Sequence, residues 1–263
     1  MKVIHKINGG AASARNAGLD TASGGYVCFV DSDDTVSPDY VRSLYRHLQT
    51  TQADIAVCRF TLFTRRSNVR QPMEAPGFYS RTEYLSEFLK CWTCSLLWNK
   101  IYCRSVIGNL RMVEGNRIDD EFFIYKTVLQ SQKIAVFDEK LYCYRLRGSS
   151  VMRSDSRYLE KMLMDKVEYL TERYAVVAEA EPSLADAFLD HLLDSIVIIG
   201  RQCSNSSRPR KAIRAWLRQN WQTVASSSVY WKRKIMYMHH LLSPCSNQQE
   251  CMDSADIPVD YFP

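Results

Sequence analysis

The chain has 263 residues and a mass of 30.4 kDa, with 46% hydrophobic and 24% charged residues. That composition belongs to a folded globular protein of one large or two small domains, and it excludes intrinsic disorder, collagen and coiled-coil arrays. The net charge of +5 is unevenly spread: residues 1–200 carry 25 basic and 25 acidic side chains, residues 201–249 nine basic and no acidic ones, and residues 250–263 four acidic ones. The neutral first part argues against a dedicated nucleic-acid protein. The basic stretch also holds Trp216, Trp221, Tyr230 and Trp231, a mixture suited to the surface of an anionic membrane. No apolar run reaches the ~18 residues of a membrane span. The best candidate, residues 188–200, contains Asp190, His191 and Asp194. Residues 1–6 hold no apolar signal core, and the nine cysteines lack framework spacing, so they read as reduced thiols in the cytoplasm.

In chain order, residues 2–6 predict a short strand. Residues 11–22 predict an Ala-rich helix stopped by Ser23-Gly24-Gly25. Residues 26–30, Tyr-Val-Cys-Phe-Val, predict a strand buried on both faces. A helix opened by Ser37-Pro38 runs to residue 49, and residues 54–60 predict another strand. This βαβ rhythm implies a parallel or mixed sheet covered by helices. Residues 65–78 loosen into a polar connection. Helices are expected over 81–89 and 119–130, and strands over 133–137 and 141–146. Beyond residue 154 the pattern is helical, over 158–177, 182–201 and 208–219.

Three acids, Asp31, Asp33 and Asp34, follow the apolar strand at 26–30. Ligands of open α/β sheets gather at such strand ends. Clustered carboxylates there suit a hard divalent cation with oxygen ligands. The same run, Asp31-x-Asp33-x-Thr35, also fits the nucleophile loop of haloacid-dehalogenase-like phosphatases. The second acidic pair, Asp119-Asp120, opens a helix instead of ending a strand, which counts against that reading.

Residues 1 to about 154 resemble the family 2 glycosyltransferases, enzymes of GT-A fold. The family's NxG…ARNxG helix is matched by Asn8, Gly9, Ala14, Arg15, Asn16 and Gly18, and its DxD motif by Asp31-Ser32-Asp33. "LLWNKIYCRSVI", with Asn99 and Lys100, resembles its W/N-K-hydrophobic-Tyr segment. "IDDEFF" resembles its ED motif, with Asp119 in place of the usual Glu. "YRLRGSSVM" resembles its donor-closing loop, through Tyr144, Arg145, Arg147, Ser150 and Met152.

The resemblance implies a partial GT-A, Rossmann-like mixed sheet with helices on both faces, followed by an α-helical region. Residues 1–108 would be the remnant of a nucleotide-sugar-binding domain, 109–154 an acceptor and catalytic segment, and 155–263 the helical region. It implies an inverting transfer from a nucleotide-diphosphate sugar, most simply a UDP-sugar, to a hydroxyl of a saccharide or lipid-linked acceptor, in bacterial surface polysaccharide synthesis. Manganese or magnesium would be held by Asp33 and Asp31. Asp120 would be the general base, supported by Asp119. Asp31, Arg15, Asn16, Arg145, Arg147 and Ser150 would contact the donor, and Asn99 and Lys100 the acceptor side. The protein would be cytoplasmic, with a peripheral contact at the inner face of the membrane through residues 201–249. The family's first two strands, with their Pro-x-Tyr-Asn and Asp-Asp-Gly-Ser ends, have no counterpart in this chain. The expectation is therefore a truncated unit, unstable and inactive alone. A non-catalytic remnant or partner subunit is the alternative reading.

Overall fold

A computed structural model describes residues 2–63, 73–145, 156–204, 207–229, 234–235 and 237. The chain divides into two compact units, residues 1–151 and 152–263.

The first unit is built on a mixed sheet. Helix α1, Gly10–Thr21, begins at a glycine with φ of +85°, a left-handed conformation that other residues adopt only under strain. Its buried residues, Ala12, Ser13, Asn16 and Leu19, follow helical spacing along one face. Strand β1, Tyr26–Cys28, follows, then the two-residue strand β2, Thr35–Val36, and helix α2, Tyr40–Thr51. Helix α2 buries Tyr40, Ser43, Leu44 and Leu48, and it ends on Gln52, whose left-handed φ of 52° lets its N–H return to the carbonyls of Leu48 and Gln49. Strand β3, Ile55–Phe63, is the central one, and Ile55, Ala56, Val57 and Cys58 are fully buried. Strand β4, Gly77–Ser80, leads through a Ser80–Glu83 capping box into helix α3, Arg81–Glu87. A 3₁₀ turn at Trp92–Ser95 precedes strand β5, Lys100–Cys103, and helix α4, Arg104–Ile107. Helix α5, Asp119–Leu129, and the long strand β6, Lys133–Arg145, complete the unit.

The sheet order is β1-β5-β3-β6-β2, with β4 also paired to β6. β3 and β6 run parallel, and the β1–β5, β3–β5, β2–β6 and β4–β6 pairs are antiparallel. The core lies where α2 packs its Tyr40, Leu44 and Leu48 on Ala56, Cys58, Phe60, Trp98, Ile101 and Tyr142. Burial pushes the Cys28 and Cys58 thiols up to about 12, so both are packing groups without thiolate chemistry.

Several expectations need correction. Residues 2–9 form no strand: no neighbour lies beside them in the sheet, and Val3, Ile4 and Ile7 are exposed. β1 is a shorter edge strand than residues 26–30 and is not buried on both faces, Tyr26 and Val30 being exposed. The strands expected at 133–137 and 141–146 are one. The polar residues 138–140 stay within the strand, where the register shifts on both sides of the Arg59–Lys140 pair, and Arg59 and His47 bond Asp138 and Glu139 respectively.

The second unit is helical: α6, Ser156–Ala180, then α7, Ala185–Arg201, after a 3₁₀ turn at Pro182–Leu184, then α8, Arg208–Gln219, and α9, Trp221–Ser226. Helix α6 packs against α7 and α8. Leu163, Val167, Leu170 and Val177 of α6 are buried, as are Phe188, Leu192, Leu193 and Ile196 of α7 and Ile213 and Leu217 of α8. Among the described residues no helix is long and apolar enough to cross a membrane.

Candidate functional site

The acidic turn begins three residues beyond the end of β1. Asp34 N–H closes the turn on the carbonyl of Asp31 at 3.2 Å. β2 then pairs with the end of β6, setting Thr35 opposite Cys143 and Val36 opposite Tyr142. That register brings Tyr142 under the turn. Its hydroxyl accepts from Asp31 N–H at 3.1 Å and donates to Asp34 Oδ2 at 2.8 Å. The Arg145 backbone N–H donates to Asp34 Oδ1 at 2.8 Å. Asp34 is thus spent on holding the turn's shape, and desolvation raises its pKa from the ordinary value against the pull of those two hydrogen bonds. Tyr142 stacks on Trp98 at 4.1 Å between centroids, and Trp98 in turn stacks on Tyr144. Tyr142 escaped the sequence reading. Its signal was the Tyr-x-Tyr alternation at 142 and 144, which puts two aromatic rings on one face of a strand.

The second acidic group opens α5. Asp119, Asp120 and Glu121 fill its first turn, where the helix dipole favours negative charge. Asp119 and Glu121 are buried, while Asp120 keeps partial exposure. Desolvation, reinforced by the charges of Glu121 and Asp119, pushes the Asp120 carboxyl up to about 7, against the opposing pull of Arg15 and of the Glu121 N–H that it accepts at 2.9 Å. A carboxylate poised near neutrality is suited to take a proton from a hydroxyl.

Arg15, from α1, joins the two groups. Its Nη2 donates to Asp31 Oδ1 at 2.8 Å and its Nη1 to Asp119 Oδ2 at 2.9 Å. Burial works against the guanidinium charge, but the bond to Asp31 and the fields of Asp31, Asp119 and Asp120 outweigh it and raise its pKa. A groove of about 360 Å³ runs from Arg15 along α1 and the outer edge of β1, with Leu19, Tyr26, Phe29 and Val30 in its wall.

Three expected site residues are engaged within the protein itself. Asn16 is buried: its Oδ1 accepts from Met112 N–H at 2.8 Å, and its Nδ2 donates to Met112 O at 3.0 Å and to Glu114 at 3.3 Å. Its amide is spent on the loop before α5 instead of facing a donor. Asn99 and Lys100 are both fully buried instead of lining an acceptor cleft. Lys100 Nζ donates to Asn99 Oδ1 at 2.7 Å and to the Leu96 carbonyl, and Asn99 Nδ2 donates to Cys58 O at 3.3 Å. Arg145 is exposed, whereas Arg147 and Ser150 lie outside the described residues. In the basic stretch, Arg210 is buried and donates to Gly200 O and Cys203 O, so at least one of the nine cations is architectural.

Among the described residues no set of three or more His, Cys, Asp or Glu side chains is arranged to hold a metal ion. Asp31 is paired with Arg15, and Asp34 with Tyr142 and the Arg145 N–H. The donor set fits a cation that takes one or two carboxylates and completes its shell with substrate phosphates and water, as magnesium does.

Residues 1–110 match the sequence model of glycosyl transferase family 2. The chain is 31% identical over 185 residues to glycosyltransferase GlyA of Streptococcus pneumoniae, covering 66% of this chain and 26% of that protein. It is 28% identical over 232 residues to the uncharacterized glycosyltransferase EpsJ of Bacillus subtilis, covering 83% of this chain and 66% of that one. Among solved structures, Staphylococcus aureus TarS 1–349 superposes with a TM-score of 0.63 at 17% identity, covering 88% of this chain and 66% of TarS 1–349. Its complex with UDP-GlcNAc superposes with a TM-score of 0.59 at 16% identity, covering 90% and 72%. The chain thus spans between about a quarter and two thirds of the length of these curated relatives, and the likeness to TarS establishes the mixed GT-A sheet with its helical C-terminal region.

Proposed function

We propose, from the match of residues 1–110 to the model of glycosyl transferase family 2, a sugar transfer from a nucleotide diphosphate, most simply a UDP-sugar, to a hydroxyl of a saccharide or lipid-linked acceptor in surface polysaccharide synthesis. The observation that carries this reading is the bridge through Arg15, which sets the acid turn after β1 beside the α5 terminus bearing Asp120. A transfer needs both: charge stabilisation for the departing diphosphate and a base for the incoming hydroxyl. In this proposal residues 1–108 handle the donor and 109–154 the acceptor and base.

Asp33 would hold manganese or magnesium against the diphosphate, shared by Asp31 through the carboxylate oxygen that Arg15 does not take, and the cation would supply charge neutralisation for the leaving group. Asp120 takes the acceptor proton on its carboxylate. Attack then falls on the face of the sugar opposite the diphosphate, which inverts the anomeric centre. Arg145, Arg147 and Ser150 are positioned in sequence to close over the phosphates. The salt-sensitive membrane contact of residues 201–249 brings the enzyme to a lipid-linked acceptor at the inner face of the membrane.

The test, like every turnover assay below, uses the chain joined to the two strands that the family resemblance places before it: UDP release from a panel of UDP-sugars, with manganese or with chelator, and UDP binding measured separately by calorimetry. The expected result is cation-dependent UDP binding and cation-dependent release. Phosphate-ester hydrolysis without nucleotide binding would favour the phosphatase reading. Neither activity would leave a non-catalytic subunit.

A further inference from the structure

We propose that Arg15 is a positioning residue that fixes the separation of the donor end and the base end of the site, and that it makes no contact with the donor. The inference rests on the transfer reading above and deepens it. Arg15 spends both terminal nitrogens on protein carboxylates, one on the turn after β1 and one on the first residue of α5. Those two carboxylates are 88 positions apart in sequence (31 to 119), so no local backbone geometry sets their distance. A guanidinium is a rigid planar fork, and two carboxylates on its two branches hold a fixed spacing that a lysine ammonium on a flexible stem cannot reproduce.

The neighbouring residue strengthens the argument. Asn16 clamps the backbone of Met112 from both sides, so the same turn of α1 anchors the loop entering α5 as well as its first residue. Helix α1 is therefore the ruler between the two acid groups, with Arg15 as its graduated end. The bridge is also mostly shielded from water, the side chains of Arg15 and Asp119 keeping 19% and 10% of their exposure. Screening there is weaker than at a surface pair.

The experiment compares Arg15→Gln and Arg15→Lys with the unaltered chain, reading UDP affinity in manganese, donor KM and kcat. Arg15→Gln should lower kcat by about 10²-fold, the usual cost of ångström-scale misplacement, while UDP affinity and donor KM move by less than about threefold. Arg15→Lys should recover little of that rate, because one ammonium restores the charge but not the two-pronged spacing. A rise in KM and loss of UDP affinity with kcat preserved would overturn the proposal and make Arg15 a donor contact. Full recovery by lysine would overturn it too, leaving only a charge requirement. A cycle of Arg15→Gln and Asp119→Asn on thermal unfolding without donor reads the bridge independently of turnover. Each single change should lower Tm by ~2–4 °C and the pair together no more than the larger single, whereas additive losses would refute the bridge. If the unaltered chain turns over no donor, the transfer reading fails, and this cycle alone decides the role of Arg15.

Discussion

Replacing Asp120 with Asn removes one ionisable proton acceptor while keeping the shape of the side chain and its capacity to accept the Glu121 N–H. If Asp120 is the base, turnover should fall by roughly 10²–10⁴-fold, with UDP affinity nearly unchanged. The pH dependence is the sharper reading. The carboxyl is pushed up to about 7, and only its ionised form accepts the proton. The rate of the unaltered chain should therefore rise through pH 7, and at pH 6 it should stand at about a tenth of its plateau. In the variant that limb should vanish from the residual rate.

Stability should move the opposite way. The folded-state pKa lies above the unfolded value near 3.8, so the folded chain holds the extra proton between about pH 4 and 7 and loses stability as pH rises through that window. The whole penalty is present above pH 7. At 1.36 kcal/mol per unit it is at most about 4 kcal/mol, reduced by the water that reaches the partly exposed carboxyl. Asp120→Asn should consequently raise Tm at pH 8 and leave it unchanged near pH 4. Initial rates of UDP release from pH 5.5 to 8.5, calorimetric UDP binding and thermal melts at two pH values make the complete assay. A variant that keeps the limb, or that loses donor affinity with the rate, would remove Asp120 from the role of base.

Three other changes test separate parts of the site. Asp33→Asn should abolish manganese-dependent turnover and leave Tm unchanged or higher, since it relieves repulsion in the acid turn; metal-dependent turnover that survives would clear Asp33 of ligation. Asn16→Ala should cost about 1–3 kcal/mol of stability, from the unpaired Met112 backbone groups, while donor KM stays within about twofold; a selective loss of donor affinity in a fully folded variant would restore Asn16 as a contact. The chain should bind anionic vesicles at low salt and release them at ~0.5 M salt, given roughly 1 kcal/mol per cation near such a surface; salt-independent binding, or none, would return residues 201–249 to ordinary helix surface.

The helices were the legible part of this sequence. Spacing of apolar residues over 81–89, 119–130 and 208–219 lies within two residues of the observed bounds of α3, α5 and α8, because an amphipathic face repeats within a few turns. Strands were read less well where pairing decides them. Residues 2–6 have strand composition but no partner, while β2 and β5 are short and owe their state to β6, β1 and β3. A strand is defined by its neighbour's hydrogen bonds, which the local sequence does not contain. The same limit hid Tyr142, whose role follows from a register between residues more than a hundred positions apart.

Motif positions divide by what their polar atoms do. Lys100 illustrates the division: burial lowers its pKa, while nearby Glu74 supports the charge, and its ammonium donates to Asn99 Oδ1 and Leu96 O. Every bond it makes there lies within the core, so substituting it would disturb folding before it disturbed a substrate. A buried cation is costly unless it is satisfied, and this one is satisfied by its own chain. Asn16 follows the same logic, with both ends of its amide engaged by the backbone of Met112. Asp120 differs in kind: its backbone partner is one residue away, its neighbours are like charges, and its proton affinity is raised to about 7. Such an arrangement costs stability at neutral pH, which makes Asp120 the candidate that the proposed transfer needs for its base. Within one set of matched motifs, a raised proton affinity only partly offset by Arg15 and the Glu121 N–H sets Asp120 apart from Lys100 and Asn16, whose polar atoms are satisfied by their own chain.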